Sequence, residues 1–239
     1  MLSWNAKSKA YIYFEESLGL AEALLKIERQ YDDPPKLKDQ RFVEGLRGGS
    51  VVLMVGAFEQ FLKSAFQEHL STLSVFPKAT YNKLPERMRM HCVFSTLEHA
   101  MSGPPSRNKL DRLSDVESAC QLVISETINP VFFIDTQSNP NAKAVEAMFS
   151  KIGKDEIFNV IMTNFGNRWA TNTPISYTPS ARFIMDKLNE ILDRRHRVAH
   201  TATVLNIARN DLDEAVRFLR ILARVLDLEL NKHIRNIKR

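Results

Sequence analysis

The sequence predicts an all-α protein, a helical bundle with an elaborated and partly irregular middle region. Three observations carry that prediction. Apolar residues recur at steps of three and four near both ends of the chain, the period of one helix face. A run around residue 55 is apolar on nearly all sides, which marks a central core helix rather than a surface one. Proline pairs and a Gly-Pro-Pro sequence punctuate the periodic segments. With 239 residues, 44% hydrophobic and 26% charged, and only 8 glycines, the composition excludes a disordered chain, collagen and a repeat array. A chain of this length buries a substantial core as one large domain, or as a core with an insertion.

The first helix is predicted over about residues 7–31, because Tyr11, Phe14, Leu18, Ala21 and Leu25 share one face. Asp32-Asp33-Pro34-Pro35 stops it, since proline lacks the N–H and restricts the residue before it. A second long helix follows over about residues 38–73, with Gly48-Gly49 as the place for a bend. Its centre, residues 51–66, is the apolar run. Glu59 sits inside that run between Phe58 and Phe61. Either its side chain reaches solvent at the edge of the stripe, or it is a buried anchor for an arginine or histidine from another helix.

Residues 74–177 are less regular and read as an insertion into the core. A helix is expected over residues 82–101, with Val93, Leu97 and Met101 on one face and Ser102-Gly103-Pro104-Pro105 at its end. Another covers residues 110–125. Residues 129–135 read as extended or irregular, and Ser138-Asn139-Pro140-Asn141 as a turn. Shorter helices are expected at 142–152 and 155–165, separated by Gly153, before a loop at 167–178. A helix then starts near Thr178-Pro179-Ser180, with proline favoured in the first turn, and buries Phe183, Ile184, Leu188, Ile191 and Leu192. Residues 201–210 connect it to a last helix from about Asp211, whose stripe includes Val216, Leu219, Leu222, Leu226 and Leu230. Residues 232–239 hold four basic and no acidic side chains, and read as a solvated basic tail. The whole is read as a single domain, 1–239, with core helices at about 7–73 and 178–235.

A net charge of +5 permits polyanionic partners without demanding them. Two cysteines, Cys92 and Cys120, make no disulfide framework and read as buried free thiols in a reducing compartment. The N-terminus lacks the charged-then-apolar order of a signal peptide, and the longest apolar run, residues 51–58, is too short to span a bilayer. The expectation is a cytoplasmic protein with no membrane partner.

The densest chemistry lies in Arg194-Arg195-His196-Arg197-Val198-Ala199-His200, with three guanidinium groups and two imidazoles in seven residues. On an ideal helix, at about 100° per residue, His196 and His200 share a face while Arg195 lies roughly 140° from His200. The two converge on one anion within a chain only if the helix frays or bends by Val198. Otherwise a symmetric partner must bring two copies together. Three readings compete. His196-x3-His200 has the spacing of two zinc ligands, but Arg197 stands where a zinc hydrolase carries its glutamate, no third ligand is evident, and arginines disfavour a dication, so no metal is expected. Basic residues at a helix end also stabilise the macrodipole, and Arg194, Arg195, Arg197 and His200 satisfy that by themselves. The third reading is RNA cleavage through the 2′-hydroxyl. It needs a group titrating near neutral pH, which an imidazole supplies, and a fixed cation on the phosphorane-like transition state. Spacing alone leaves the last two readings even.

Arg195-His196-Arg197-Val198-Ala199-His200 resembles the HEPN pattern: an arginine, a polar residue, and a histidine four to six residues after the arginine. Gly56-Ala57-Phe58-Glu59-Gln60-Phe61-Leu62 is similar to the corresponding core helix of the RiboL-PSP-HEPN group. The resemblance covers the two N-terminal helices and the last sixty residues or so; Thr201 stands where a glycine is usual. It implies a dimerising helical domain with two motifs facing each other in a composite cleft. Members are commonly metal-independent endoribonucleases of toxin–antitoxin or phage-defence systems, so RNA, a second copy and a cognate antitoxin are the implied partners, with no cofactor. Arg195 would stabilise the scissile phosphate, His200 would act as general acid or base, and His196 would orient the phosphate or the other histidine. Glu59 matches an acidic position that braces the motif. Arg194 and Arg197 are added as accessory phosphate contacts on their chemistry alone. A non-catalytic RNA-binding or protein-interaction module, or a regulatory partner of a nucleotidyltransferase-like antitoxin, is the alternative.

Overall fold

The computed structural model describes residues 6–73, 82–101, 108–125, 128, 133–134, 136, 139–172, 179–201 and 207–237. Eight helices run through the described residues: α1 (Lys9–Glu28), α2 (Gln40–Ser71), α3 (Glu86–Met101), α4 (Lys109–Ile124), α5 (Ala142–Lys151), α6 (Ile157–Asn172), α7 (Ala181–Thr201) and α8 (Arg209–Ile237). There is no strand among those residues, and the class is all-α as the periodicity requires.

The centre is α2, which packs against α1, α7 and α8. It lies antiparallel to α1, so Phe61 in its second half meets Phe14 near the start of α1, with ring centroids 5.5 Å apart. The glycine pair lies within continuous α-helix. Both glycines serve close approach. A Cβ on Gly48 would lie 3.2 Å from Val198 Cγ1 of α7, and one on Gly49 would lie 3.3 Å from Leu24 Cδ1 of α1. Two neighbours thus close on α2 from different sides where it has no side chains.

Both ends of α1 are held by buried polar groups. At the start, Ser8 Oγ accepts from the Tyr11 amide (3.0 Å), and the Glu68 carboxylate of α2 accepts from the amides of Lys9 (3.1 Å) and Ala10 (2.9 Å). Nearby, Asp227 of α8 accepts from His69 Nε2 (3.2 Å), from Arg224 Nη1 (2.9 Å) and from the Ser8 amide (3.3 Å). At the other end Glu28 is fully buried. Arg47 of α2 donates to it through Nε (2.8 Å) and Nη2, and Arg209 of α8 donates through Nε (2.9 Å). Arg47 also reaches the Ile207 carbonyl (2.8 Å) and Asp33 (2.9 Å), and Arg209 reaches the Tyr31 carbonyl (2.9 Å). One carboxylate therefore fixes α1, α2 and the entry to α8 together.

The middle of the chain shares the core of its two ends. Val145, Met148 and Phe149 of α5 and Phe158, Phe165 and Trp169 of α6 are buried in the same core as α1, α2, α7 and α8. Phe149 meets Phe66 of α2 edge-on at 5.0 Å, and Phe165 meets Phe218 of α8 at 5.4 Å. Helix α6 also runs on to Asn172, because Trp169 extends the Phe165 stripe by one turn and stacks on it at 5.7 Å. Met88 and Cys92 of α3 are buried in that core as well, and α4 packs chiefly on α3. Cys92 is buried there, but Cys120 on α4 is exposed, contrary to the expectation of two buried thiols. Within 129–135, Phe133 is fully buried and Ile134 partly so; the other five residues, like loop residues 173–178, lie outside the described residues.

The basic C-terminal stretch is a correction too. Instead of a solvated tail, α8 continues to Ile237 with His233, Ile234 and Ile237 buried, because these continue the apolar stripe of the helix. His233 Nε2 donates to the Ile152 carbonyl at 2.8 Å. Lys238 and Arg239 lie outside the described residues. Among the described residues no helix is long and apolar enough to cross a membrane.

Two of the buried ionisable groups, Glu28 and His233, have measurable consequences. Glu28→Ala leaves two guanidiniums facing an empty acceptor site, so urea unfolding should show a loss of about 3–5 kcal/mol, far above that of an exposed glutamate. Burial pushes the His233 imidazole below its ordinary value, the Lys154 charge adds to this, and the Ile152 carbonyl and Glu229 oppose it. A depressed histidine stabilises the fold above the unfolded value of about 6.5 and loses that contribution as pH falls through the folded value. Lowering the pH from 7 to 5 should therefore reduce the urea midpoint more in the wild type than in His233→Gln.

Candidate nucleic-acid interface

Helix α7 carries the basic cluster. Ser180 Oγ accepts from the Phe183 amide (3.1 Å) and caps it, and Ile184, Leu188, Ile191 and Leu192 bury its inner face. The helix does not fray before the cluster: it is α-helical through Thr201. The phase of each side chain follows from that continuity. Val198 rests on Gly48 of α2, and Arg194 and Arg195 lie about 40° and 60° round the helix from it. His196 and the His200 position lie about 160° from Val198, on the opposite side.

Three adjacent arginines consequently meet three environments. Arg194 turns toward α8, where Nη2 donates to Asp211 Oδ2 (2.9 Å) and to Glu190 of its own helix. Lys187, about two turns earlier, pairs with Glu214 (2.8 Å) and Glu190 (3.2 Å). Burial works to lower the Lys187 pKa, but the two carboxylates outweigh it and hold the ammonium above its ordinary value. Arg194 and Lys187 thus tie α7 to the start of α8. Arg195 is half-buried beside the α2 contact and has no hydrogen-bond or ion-pair partner among the described residues. Arg197 and His196 are exposed. The His200 side chain lies outside the described residues; its backbone is part of α7.

Arg195 and the His200 position are held about 140° apart by the unbroken helix. Within one chain the two positions do not share a helix face. Glu59 is set apart from the cluster. Lys63 Nζ (2.7 Å) and Thr136 Oγ1 (3.2 Å) donate to it, and it lies eleven residues along α2 from Gly48, about 16 Å of helix. Its contacts brace α2 against the segment around Thr136 and not the motif.

Sequence reading missed the buried polar group next to the α2–α7 contact. Glu28, Arg47 and Arg209 meet beside the point where α7 crosses α2, since Arg47 precedes Gly48. A signal was present. Glu28 follows Ala21 and Leu25 on the α1 stripe, and Arg47 falls between Val43 and Val51 on α2, so each charge occupies an apolar position. Among the described residues no three or more His, Cys, Asp or Glu side chains are grouped so as to hold a metal ion.

The family model described as RiboL-PSP-HEPN matches residues 15–232. That range includes both α2 and the cluster on α7, and also the middle helices. No curated protein matches the chain, and no solved structure does.

Because Gly48 admits Val198 at close range, a large side chain there should push the end of α7 off α2. Gly48→Leu is expected to cost about 1–3 kcal/mol by overpacking. Gly56→Leu, at a position on the same helix with nothing near its Cβ, should cost much less when both are measured by thermal unfolding.

Proposed function

The chain belongs to the RiboL-PSP-HEPN family, and from that membership we propose that it is a metal-independent endoribonuclease acting on RNA as a homodimer. The observation that carries the reading is the half-buried Arg195, without an acidic partner among the described residues, on a helix unbroken through His200. A guanidinium left unmatched in a field where its neighbour Arg194 is matched by two carboxylates is a place for an external anion.

In this reading the 2′-hydroxyl oxygen attacks the adjacent phosphorus, and an imidazole takes its proton. The bond from phosphorus to the 5′-oxygen breaks, and a protonated imidazole supplies that oxygen with a proton. The products are a 2′,3′-cyclic phosphate and a 5′-hydroxyl. Arg195 stabilises the charge that gathers on the phosphorane. His200 is the acid or base, and His196, on the same face, orients the phosphate or the other histidine. Since the helix separates Arg195 from His200 by about 140°, a second copy brings its own pair to the same cleft, and Arg195 of one chain then works with His200 of the other. Arg197 remains as an accessory phosphate contact; Arg194 contributes mainly by holding α7 to α8. A cytoplasmic toxin or phage-defence effector, with a cognate antitoxin, is the biological role that fits this chemistry.

The test is incubation of the protein with a labelled structured RNA in EDTA. Wild type should release cyclic-phosphate ends. His200→Ala and Arg195→Ala should each lose at least about 10²-fold in rate while keeping wild-type unfolding curves. Variants that cleave normally would remove the motif from the mechanism, and loss of activity in EDTA would remove the metal-free route. Salt-sensitive RNA binding without cleavage would identify a non-catalytic module.

A further inference from the structure

A second basic feature lies on a different face of α8 from the one tied to α7. Between α1 and α8, with α6 closing one side, is a cleft of about 520 Å³. Five guanidiniums line it: Arg29 at the end of α1, Arg168 of α6, and Arg217, Arg220 and Arg224 of α8. Carboxylates hold some of them. Asp213 pairs with Arg29, Glu15 and Glu22 pair with Arg220 (3.0 and 2.9 Å), and Asp227 pairs with Arg224 (2.9 Å). Glu22 and Asp213 lie in the lining itself, and Glu15 and Asp227 hold Arg220 and Arg224 from outside it. Arg217 has no ion-pair partner among the described residues. Among the residues that line the cleft, five guanidiniums stand against two carboxylates, Glu22 and Asp213, a lining that favours anions.

The shape of the lining narrows the ligand. Arg217, Arg220 and Arg224 follow at steps of three and four residues, so their Cα atoms are spaced about 4.5 and 6 Å along the axis. Such a ladder suits successive phosphates on a strand. The floor is aliphatic, with Leu25, Val216 and Ile221. The one aromatic ring, Tyr11, is 4% exposed and lies beneath the Arg224 guanidinium at 5.3 Å, so no base can stack on it. A free nucleotide would find phosphate contacts here but no seat for its base. In the lining, Arg29 directly follows Glu28, which holds Arg209, and Asp213 lies two residues after Asp211, which holds Arg194 at the base of the motif.

We propose that this cleft binds the phosphodiester backbone of a single RNA strand leading away from the motif, without regard to base sequence. The inference rests on the reading of RNA as substrate but not on cleavage. Affinity for a single-stranded 2′-O-methyl RNA, which lacks the attacking hydroxyl, tests it across a series of salt concentrations. Arg217→Glu, and independently Arg168→Glu on another helix, should each weaken binding at least about tenfold with unchanged thermal unfolding. The log–log salt slope should flatten by about 0.7 for every phosphate that a variant no longer neutralises. Unchanged affinity and slope in both variants would overturn the inference, as would complete displacement of the strand by a nucleoside triphosphate. The outcomes separate cleanly from those of the nuclease assay. A protein that binds the strand through Arg217 but never cuts RNA keeps the cleft and loses the nuclease; one that cuts RNA while Arg217→Glu binds normally does the reverse.

Discussion

The buried carboxylate of Glu28 is the constraint on which the arrangement turns. It is removed from water and answered by two guanidiniums, Arg47 and Arg209, drawn from helices far apart in sequence. A charge so buried is tolerable only when paired and hydrogen-bonded, so the geometry of the three side chains admits little variation. Arg47 in turn holds the Ile207 carbonyl, which sets where the chain re-enters after the motif. Next to Arg47, Gly48 receives Val198. The depth, angle and phase of the basic helix end therefore follow from one ionic group and one missing side chain.

Helix phase then divides the work among like residues. Arg194, Arg195 and Arg197 are chemically identical, and rotation about α7 alone decides their surroundings. One is bound into a seam with α8, one is half-buried with no acidic partner among the described residues, and one is exposed. A count of arginines in the motif would assign them a common role. Their angular positions do not.

Much of the fold is legible because helix periodicity is a local property. The first helix, the long central helix, the cluster-bearing helix and the last one each follow from it to within a few residues. What escapes reading depends on partners distant in sequence. Gly48-Gly49 gives no sign in the sequence that α1 and α7 press on it. Glu59 looks like an anchor for the motif until Lys63 and Thr136 are found beside it. The 142–172 segment looks peripheral because its stripes are short, yet Phe149 and Trp169 complete the common core. The stretch after residue 231 looks polar because lysine and arginine outnumber Ile234 and Ile237, and burial follows the stripe and not the tally. In the candidate site the residue types are readable and their mutual angle is computable, but continuity of α7 through His200 is not.

The long reach of the Glu28 cluster also bears on how the chain is made. Synthesis delivers α1 and α2 early, and the pair can form at once from local contacts. Arg209 and the apolar stripe of α8 that covers this pair emerge about 160 residues later, a delay of roughly 8–30 s at ordinary elongation rates. Through that interval the nascent hairpin holds a buried glutamate with only one of its two cations and presents an uncovered row of aromatic side chains. Because α8 follows α1 and α2 in the chain, the helix that seals the core is made after the pair it covers.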